Sequence, residues 1–337
     1  MSRARIYKDG NPTVQPKSNV SCWVGIDVSK QWVDVAVLVE EQRIEQRRFL
    51  RSPSALEEMA EQLVSYGPQA VVLEATGGLE QRVVVALLKA GLEVRRMNPK
   101  RVRDFARAEG LLAKTDAIDA YALALFGARM RPAAREWPEP ERQRLSAWVR
   151  REQQIVGERA RERVRLGQSE DPELRTSIRR IITYFTRELE RLDRELAKWL
   201  VSCEWFEPQE ALLRTAPGVG PKTARVLLAE LPELGKLNRR EIAALAGLAP
   251  FSCDSGQFRG KRRIRGGRAG VRAALYVASW TAIRISAELR AFYRRLVAAG
   301  KPKQLALIAV ARKLLLALNE MMRTQHPWRP ASSHAEA

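Results

Sequence analysis

Two apolar runs stand close together near the start of the chain, Cys22-Trp23-Val24-Gly25-Ile26-Asp27-Val28 and Trp32-Val33-Asp34-Val35-Ala36-Val37-Leu38-Val39. Only Ser29-Lys30-Gln31 separates them. Both are rich in β-branched residues and too short for buried helices, so the pair reads as a β-hairpin. Arg43 to Leu50 follows as a third strand of weaker alternation, and Ser52-Pro53 opens a helix to about Ser65 with Leu56, Met59, Ala60 and Leu63 at helical spacing. Gln69 to Glu74 is a continuous buried-type strand that ends in an acid. Gly77-Gly78 turns the chain into a helix over Leu79 to Ala90, and Leu92-Glu93-Val94 begins another strand. Hairpin strands followed by strands alternating with helices predict a mixed α/β sheet.

Single carboxylates punctuate this pattern. Asp27 lies inside an apolar run, where an unpaired charge is costly unless a cation compensates it. Glu74 closes its strand, and Lys114-Thr115-Asp116-Ala117-Ile118-Asp119-Ala120 places two acids on one face at the start of a helix with Thr115 as its N-cap. Acids in a first turn are also explained by the helix dipole alone, and both readings stand for this stretch. Ligands on α/β sheets collect at strand ends and helix starts, where Glu74 and Asp116 fall. Asp27, Glu74, Asp116 and Asp119 are thus the residues that could together hold a pair of Mg²⁺ ions.

The net charge of +20 and a pI near 10.5 suit a binder of polyanions, which makes nucleic acid the first partner to consider. At 337 residues and 45% hydrophobic content the chain can bury two or three cores. Cys22, Cys203 and Cys253 are scattered and form no CxxC pair, so neither a disulfide frame nor a zinc site is indicated and a reducing cytoplasm fits. The two histidines, His326 and His334, both lie in the tail, which excludes a histidine base in the body. No signal-peptide core begins the chain, and the apolar stretch Leu305 to Leu318 is interrupted by Arg312 and Lys313, so no membrane span is expected.

The expected organisation is a basic arm over 1–21, an α/β domain over 22–135, a helical hairpin over 139–205, a mainly helical domain over 208–325 and a tail over 326–337. Trp137-Pro138-Glu139-Pro140 is the clearest linker. In the second long helix, Ile178, Ile182, Phe185, Leu189, Leu192, Leu196 and Trp199 form a heptad seam, open to the hairpin's own partner helix or to a second chain. Pro217-Gly218-Val219-Gly220-Pro221-Lys222-Thr223 has the form of a helix-hairpin-helix turn, in which Gly218 and Gly220 allow close backbone approach and the helix start at Lys222 and Thr223 can grip a phosphate. An ordinary Gly-Pro turn between helices is the alternative. Between Arg259 and Arg272 stand seven basic residues, four glycines and no acid; Arg259, Lys261, Arg262, Arg263, Arg265 and Arg268 read either as a solvated loop or as nucleic-acid contacts. Ser255-Gly256 lies directly upstream, where a serine hydroxyl could attack a phosphate whose charge the guanidiniums neutralise.

At this point five motifs carry a resemblance. Gly25-Ile26-Asp27-Val28-Ser29-Lys30, the strand ending in Glu74, Lys114 to Ala120, the Pro217 to Gly220 hairpin, and the block from Gly247-Leu248-Ala249-Pro250 through Ser255-Gly256 to Leu275-Tyr276 are together similar to the DEDD insertion-sequence transposases. That family includes Piv-type DNA invertases and bridge-RNA-guided recombinases, and the likeness covers about residues 22 to 322. It implies an RNase H-like (RuvC-like) N-terminal domain whose acids Asp27, Glu74, Asp116 and Asp119 bind Mg²⁺, or Mn²⁺ in its place. It further implies a helical coiled-coil insertion and a mainly helical C-terminal transposase domain whose serine, matching Ser255, forms a phosphoserine link to DNA. Donor and target double-stranded DNA, a structured bridge RNA, a homo-oligomer (dimer or tetramer) and a bacterial or archaeal cytoplasm are the partners and setting it implies. Ser252 stands three residues before Ser255, and only Gly256 and the family pattern favour Ser255.

Three rival functions bear on the same residues. A junction-resolvase-like metal nuclease would use the four acids with water as nucleophile but leaves the Ser255 block unexplained. An actin-like kinase shares the Gly25 to Lys30 pattern but lacks a second Gly-rich phosphate loop, and the charge of +20 suits it poorly. A non-catalytic nucleic-acid binder predicts no cost from removing Asp27.

Overall fold

The computed structural model describes residues 21–133, 139–251 and 263–329, together with the backbone of 254–255 and 258–259. The basic arm, most of the linker at 134–138, Ser252, Lys261, Arg262 and the tail from 330 lie outside the described residues. The chain divides into two compact units, Met1–Trp137 and Pro138–Ala337.

In the first unit the apolar runs form β1 (Cys22–Val28), β2 (Trp32–Val39) and β3 (Gln42–Leu50), followed by α1 (Pro53–Val64), β4 (Ala70–Glu74), α2 (Gln81–Lys89), β5 (Val94–Met97), α3 (Pro99–Ala108) and α4 (Asp116–Met130). The five strands make one sheet in the order β3-β2-β1-β4-β5, antiparallel on the β1–β2–β3 side and parallel from β1 through β4 to β5. Side chains alternate across a strand, so β1 serves two cores. Val24 and Ile26 join Leu56, Met59, Val83 and Leu87 under α1 and α2. Trp23 joins Val72, Leu123 and Phe126 on the opposite face, under α4. The mixed α/β expectation holds for this unit, with α3 added; its start is capped by Asn98, whose side chain accepts from Lys100 N, and Pro99 presets the first turn.

The second unit begins with α5 (Pro140–Gln168) and α6 (Pro172–Leu200), each of 29 residues. After α7 (Phe206–Arg214), α8 (Pro221–Glu230) and α9 (Arg239–Leu245) come four two-residue strands, β6 (Pro250–Phe251), β7 (Asp254–Ser255), β8 (Phe258–Arg259) and β9 (Arg263–Ile264), then α10 (Ala269–Ile285), α11 (Ala287–Ala298) and α12 (Lys303–Thr324). This region is mainly helical. Its core reaches into the base of the hairpin, because Leu145, Val149, Leu196 and Leu200 pack with Leu213, Leu227, Leu275 and Leu314. Farther out, Leu189 and Leu192 of the heptad seam pack against Ile155 of α5. The C-terminal half of the seam is therefore filled by the chain's own partner helix. No helix among the described residues is long and apolar enough to cross a membrane.

Candidate active site and nucleic-acid contacts

The acids share one neighbourhood because one glycine lets a helix lie on the sheet. A Cβ at Gly25 would come within 2.1 Å of the Ala120 carbonyl oxygen and 2.2 Å of the Ala124 nitrogen, so only glycine permits α4 to rest on β1. Asp27 is two residues along the same strand face. Ile26 pairs with Leu73 in parallel register, which sets Asp27 and Glu74 side by side at the ends of neighbouring strands. Thr115 accepts from Ile118 N at 3.2 Å and starts α4 so that Asp116 and Asp119 occupy its first turn. Gln46 of β3 ties that turn to the sheet by donating to the Ala117 carbonyl at 2.7 Å.

The other three acids are near enough for their charges to act on Asp27. Burial, then the charges of Glu74, Asp119, Asp116 and Asp34, push the Asp27 carboxyl up to about 7. Burial followed by Asp119 raises Glu74, with Lys114 opposing. Burial also raises Asp119, against Lys114 and Arg103. Buried carboxylates that also repel one another form a candidate cation site.

Among the described residues no three His, Cys, Asp or Glu side chains converge tightly enough to form a ready-made metal cage. The donor chemistry nevertheless fits a hard divalent ion, since every group offered is a carboxylate oxygen. The carboxylates of Asp27 and Glu74 project from rigid strands, and those of Asp116 and Asp119 from a capped helix turn.

Three participants escaped the sequence reading. Asp34 of β2 stands directly opposite Asp27, and Arg48 of β3 directly opposite Asp34. Arg48 donates through Nε to Asp34 at 3.0 Å and through a terminal nitrogen to Asp116 at 3.1 Å. The signal for Asp34 was present, a charge inside an apolar run as for Asp27; that for Arg48 was not, because only strand register brings it there. The third is Glu80, which is buried and accepts from Thr76 N, Thr76 Oγ1 and Gly78 N at 3.2, 2.9 and 2.8 Å, pinning the turn that follows Glu74.

The residues expected to contact nucleic acid all belong to the second unit. Gly218, at φ +80°, backs onto α10, where a Cβ would meet the Ala278 carbonyl oxygen at 2.3 Å; its role is close packing between helices. Gly220 faces open space as the N-cap residue of α8, with Lys222 exposed and Thr223 half-buried in the first turn. The Lys222 ammonium pairs with Glu152 of α5. Ser255 lies in β7 and pairs with Phe258 of β8, whose other residue is Arg259. Arg263 and Arg265 are exposed. Arg268 differs from them, because its guanidinium grips Glu233 with two nitrogens and also donates to the Glu230 carbonyl at 2.8 Å.

Two family models match the chain, one described as a transposase over residues 24–169 and one described as the transposase IS116/IS110/IS902 family over residues 210–294. The first span includes all four acids and the second includes Ser255. The chain belongs to the IS110-type transposases. It is similar to a pilin gene-inverting protein of Moraxella lacunata, 25% identical over 272 residues that cover 77% of this chain and 81% of the relative. An uncharacterized 43.6 kDa protein of insertion element IS110 from Streptomyces coelicolor is 31% identical over 118 residues, 34% of this chain and 29% of that one. A 42 kDa protein of insertion element IS900 from Mycobacterium paratuberculosis is 37% identical over 98 residues, 28% and 24% of the respective chains. Family membership thus makes recombination of DNA the activity to which the acid cluster is to be related.

Proposed function

We propose that the protein is a divalent-cation-dependent site-specific DNA recombinase in which Asp27, Glu74, Asp116 and Asp119 hold Mg²⁺ or Mn²⁺ and Ser255 is the nucleophile. The observation that carries this reading is the meeting of the β1 and β4 strand-end acids with the first turn of α4, supported by the upward push on Asp27. The order of strands and the helix on the acidic face suit an RNase H-like domain. Held by these four acids, a divalent ion would supply positive charge to the scissile phosphate and to the departing oxygen. Ser255 Oγ forms a bond to phosphorus, the bond to the departing strand breaks, the hydroxyl proton is released and the departing oxygen takes one up. The phosphodiester linkage is conserved as a phosphoserine, so rejoining to a second strand needs no external energy source.

The α7–α8 turn, read as a helix-hairpin-helix, contacts DNA backbone through the α8 start, and Arg259, Lys261, Arg262, Arg263 and Arg265 neutralise phosphates. Arg268 is assigned here to steadying that segment. The family resemblance supports a homo-oligomer, donor and target DNA, a bridge RNA that specifies the sites, and action in the cytoplasm. The name of the Moraxella relative, a pilin gene-inverting protein, agrees with recombination between sites.

The experiment is a denaturing gel of protein incubated with site-bearing DNA, Mg²⁺ and co-purified RNA. Wild type is expected to carry covalently bound DNA, Ser255→Ala to carry none, and Asp27→Ala to bind nucleic acid without cleaving it. Cleaved DNA free of any protein adduct would instead establish the junction-resolvase-like nuclease with water as nucleophile.

A further inference from the structure

The row Asp27, Asp34, Arg48 across three strands contains one residue pair that the proposed chemistry does not use. Asp34 is 4% exposed, and its Oδ2 is buried without a hydrogen-bond partner. A buried carboxylate oxygen left unpaired loses its hydration without a replacement and so destabilises the fold. An apolar residue would serve the fold better at this position, since Ala36 and Leu38 continue the same face into a small core with Ala120 and Ala124. What Asp34 does hold is Arg48, by the 3.0 Å bond to Nε, and Arg48 spans from it to Asp116 at 3.1 Å.

An Arg–Asp pair with both partners half-exposed is ordinarily worth little, because two long side chains must be ordered in water. Arg48 escapes that cost. Its Nε is fixed by the buried Asp34, and its guanidinium lies 5.9 Å from the centre of the Trp32 ring. The outer nitrogen that meets Asp116 is therefore preset by Asp34 and Trp32, while the Asp116 carboxylate, 50% exposed on a helix start, makes no other side-chain hydrogen bond or ion pair among the described residues.

We infer that Asp34 and Arg48 are positioning residues, with the buried Asp34 orienting the Arg48 guanidinium so that it holds Asp116 at the bearing it takes as a metal ligand. This rests on the reading of Asp116 as a ligand. Arg48 is the outer partner that fixes a ligating carboxylate, and loss of such partners weakens metal binding about 10- to 100-fold. The alternative role of Arg48, that of a bare positive charge offsetting the acids, makes the opposite forecast, because its removal would then tighten cation binding.

The test is titration of the full-length protein with Mn²⁺, read by the electron-spin resonance of the free aqua ion. Asp27→Asn is the control: equal Mn²⁺ binding by wild type and Asp27→Asn, or none by wild type, would overturn the metal reading itself and this inference with it. Where wild type binds and Asp27→Asn does not, Arg48→Lys keeps the charge but cannot span Asp34 and Asp116, and it is expected to weaken Mn²⁺ about 10-fold. Asp34→Ala is expected to weaken it to a similar degree, and the double variant no further than Arg48→Lys alone, since Asp34 acts through Arg48. Affinity within twofold of wild type for Arg48→Lys, tighter binding by Arg48→Gln, or effects that multiply in the double variant would each overturn the positioning role. Arg48 is half-exposed, so its variants decide the matter even if Asp34→Ala does not accumulate as folded protein.

Discussion

Asp27 and Asp34 face each other across the β1–β2 ladder as direct partners in register, two carboxylates on one side of one sheet. Like charges placed opposite each other destabilise a sheet, so the arrangement weakens the metal-free fold. The cost can be read through pH. Burial first, then Glu74, Asp119 and Asp116, with Asp34 adding least, push the folded Asp27 carboxyl up to about 7 against an ordinary value of 3.8, so between those values the folded state holds a proton that the unfolded chain has released. Stability contributed by this group therefore falls as pH rises from about 4 to about 7 and is flat above. Asp27→Asn in chelator is expected to melt higher than wild type at pH 8 and equally at pH 3. A difference in melting temperature that does not change with pH would refute the assignment.

Gly25 and Gly157 forecast opposite signs. Gly25→Ala drives a methyl into the α4 backbone at Ala120 and Ala124, and a loss of at least about 3 kcal/mol is expected, with the acids drawn apart. Gly157 sits within α5 with nothing near its absent Cβ, and Gly157→Ala is expected to stabilise by about 0.5–1 kcal/mol through lost freedom of the unfolded chain. Urea midpoints of the two variants check both.

Burial pushes the Glu80 carboxyl up, but the hydrogen bonds from its own backbone, the Thr76 hydroxyl and the Gly78 and Thr76 backbone together outweigh it and leave the group below its ordinary value. A depressed folded value means that its stabilisation is present above the unfolded value and lost as pH falls. Glu80→Gln is expected to cost about 1–3 kcal/mol near neutrality and to loosen the turn after Glu74, lowering DNA cleavage. Unchanged cleavage, with unchanged hydrogen exchange at Thr76 and Gly78, would show that the turn holds without it.

Arg265 and Arg268 separate contact from support. Arg265→Ala is expected to reduce the slope of log affinity against log salt by about 1 and to leave the melting temperature unchanged, as for a phosphate contact. Arg268→Ala removes the grip on Glu233 and the Glu230 carbonyl and is expected to lower the melting temperature first. Salt-dependent DNA binding, with melting curves on the same samples, distinguishes them.

The sequence alone carried the strands of the first unit and the local signals of its acids. Short continuous apolar runs announced β1, β2 and β4, Thr115 announced the start of α4, and a charge inside or at the end of an apolar run singled out Asp27 and Glu74. Those signals come from the chain's own backbone and the solvent, and they survive without knowledge of neighbours. Short α9 and the amphipathic α3 and α11 were overlooked because brief helices draw most of their stability from packing. Tertiary structure decided which groups meet. Register alone put Arg48 beside Asp34, contact with α10 gave Gly218 a packing role, and α5 filled half of the heptad seam. Pairing between distant strands and helices depends on which surfaces close over one another, and a one-residue shift in register would send Arg48 to the other face of the sheet.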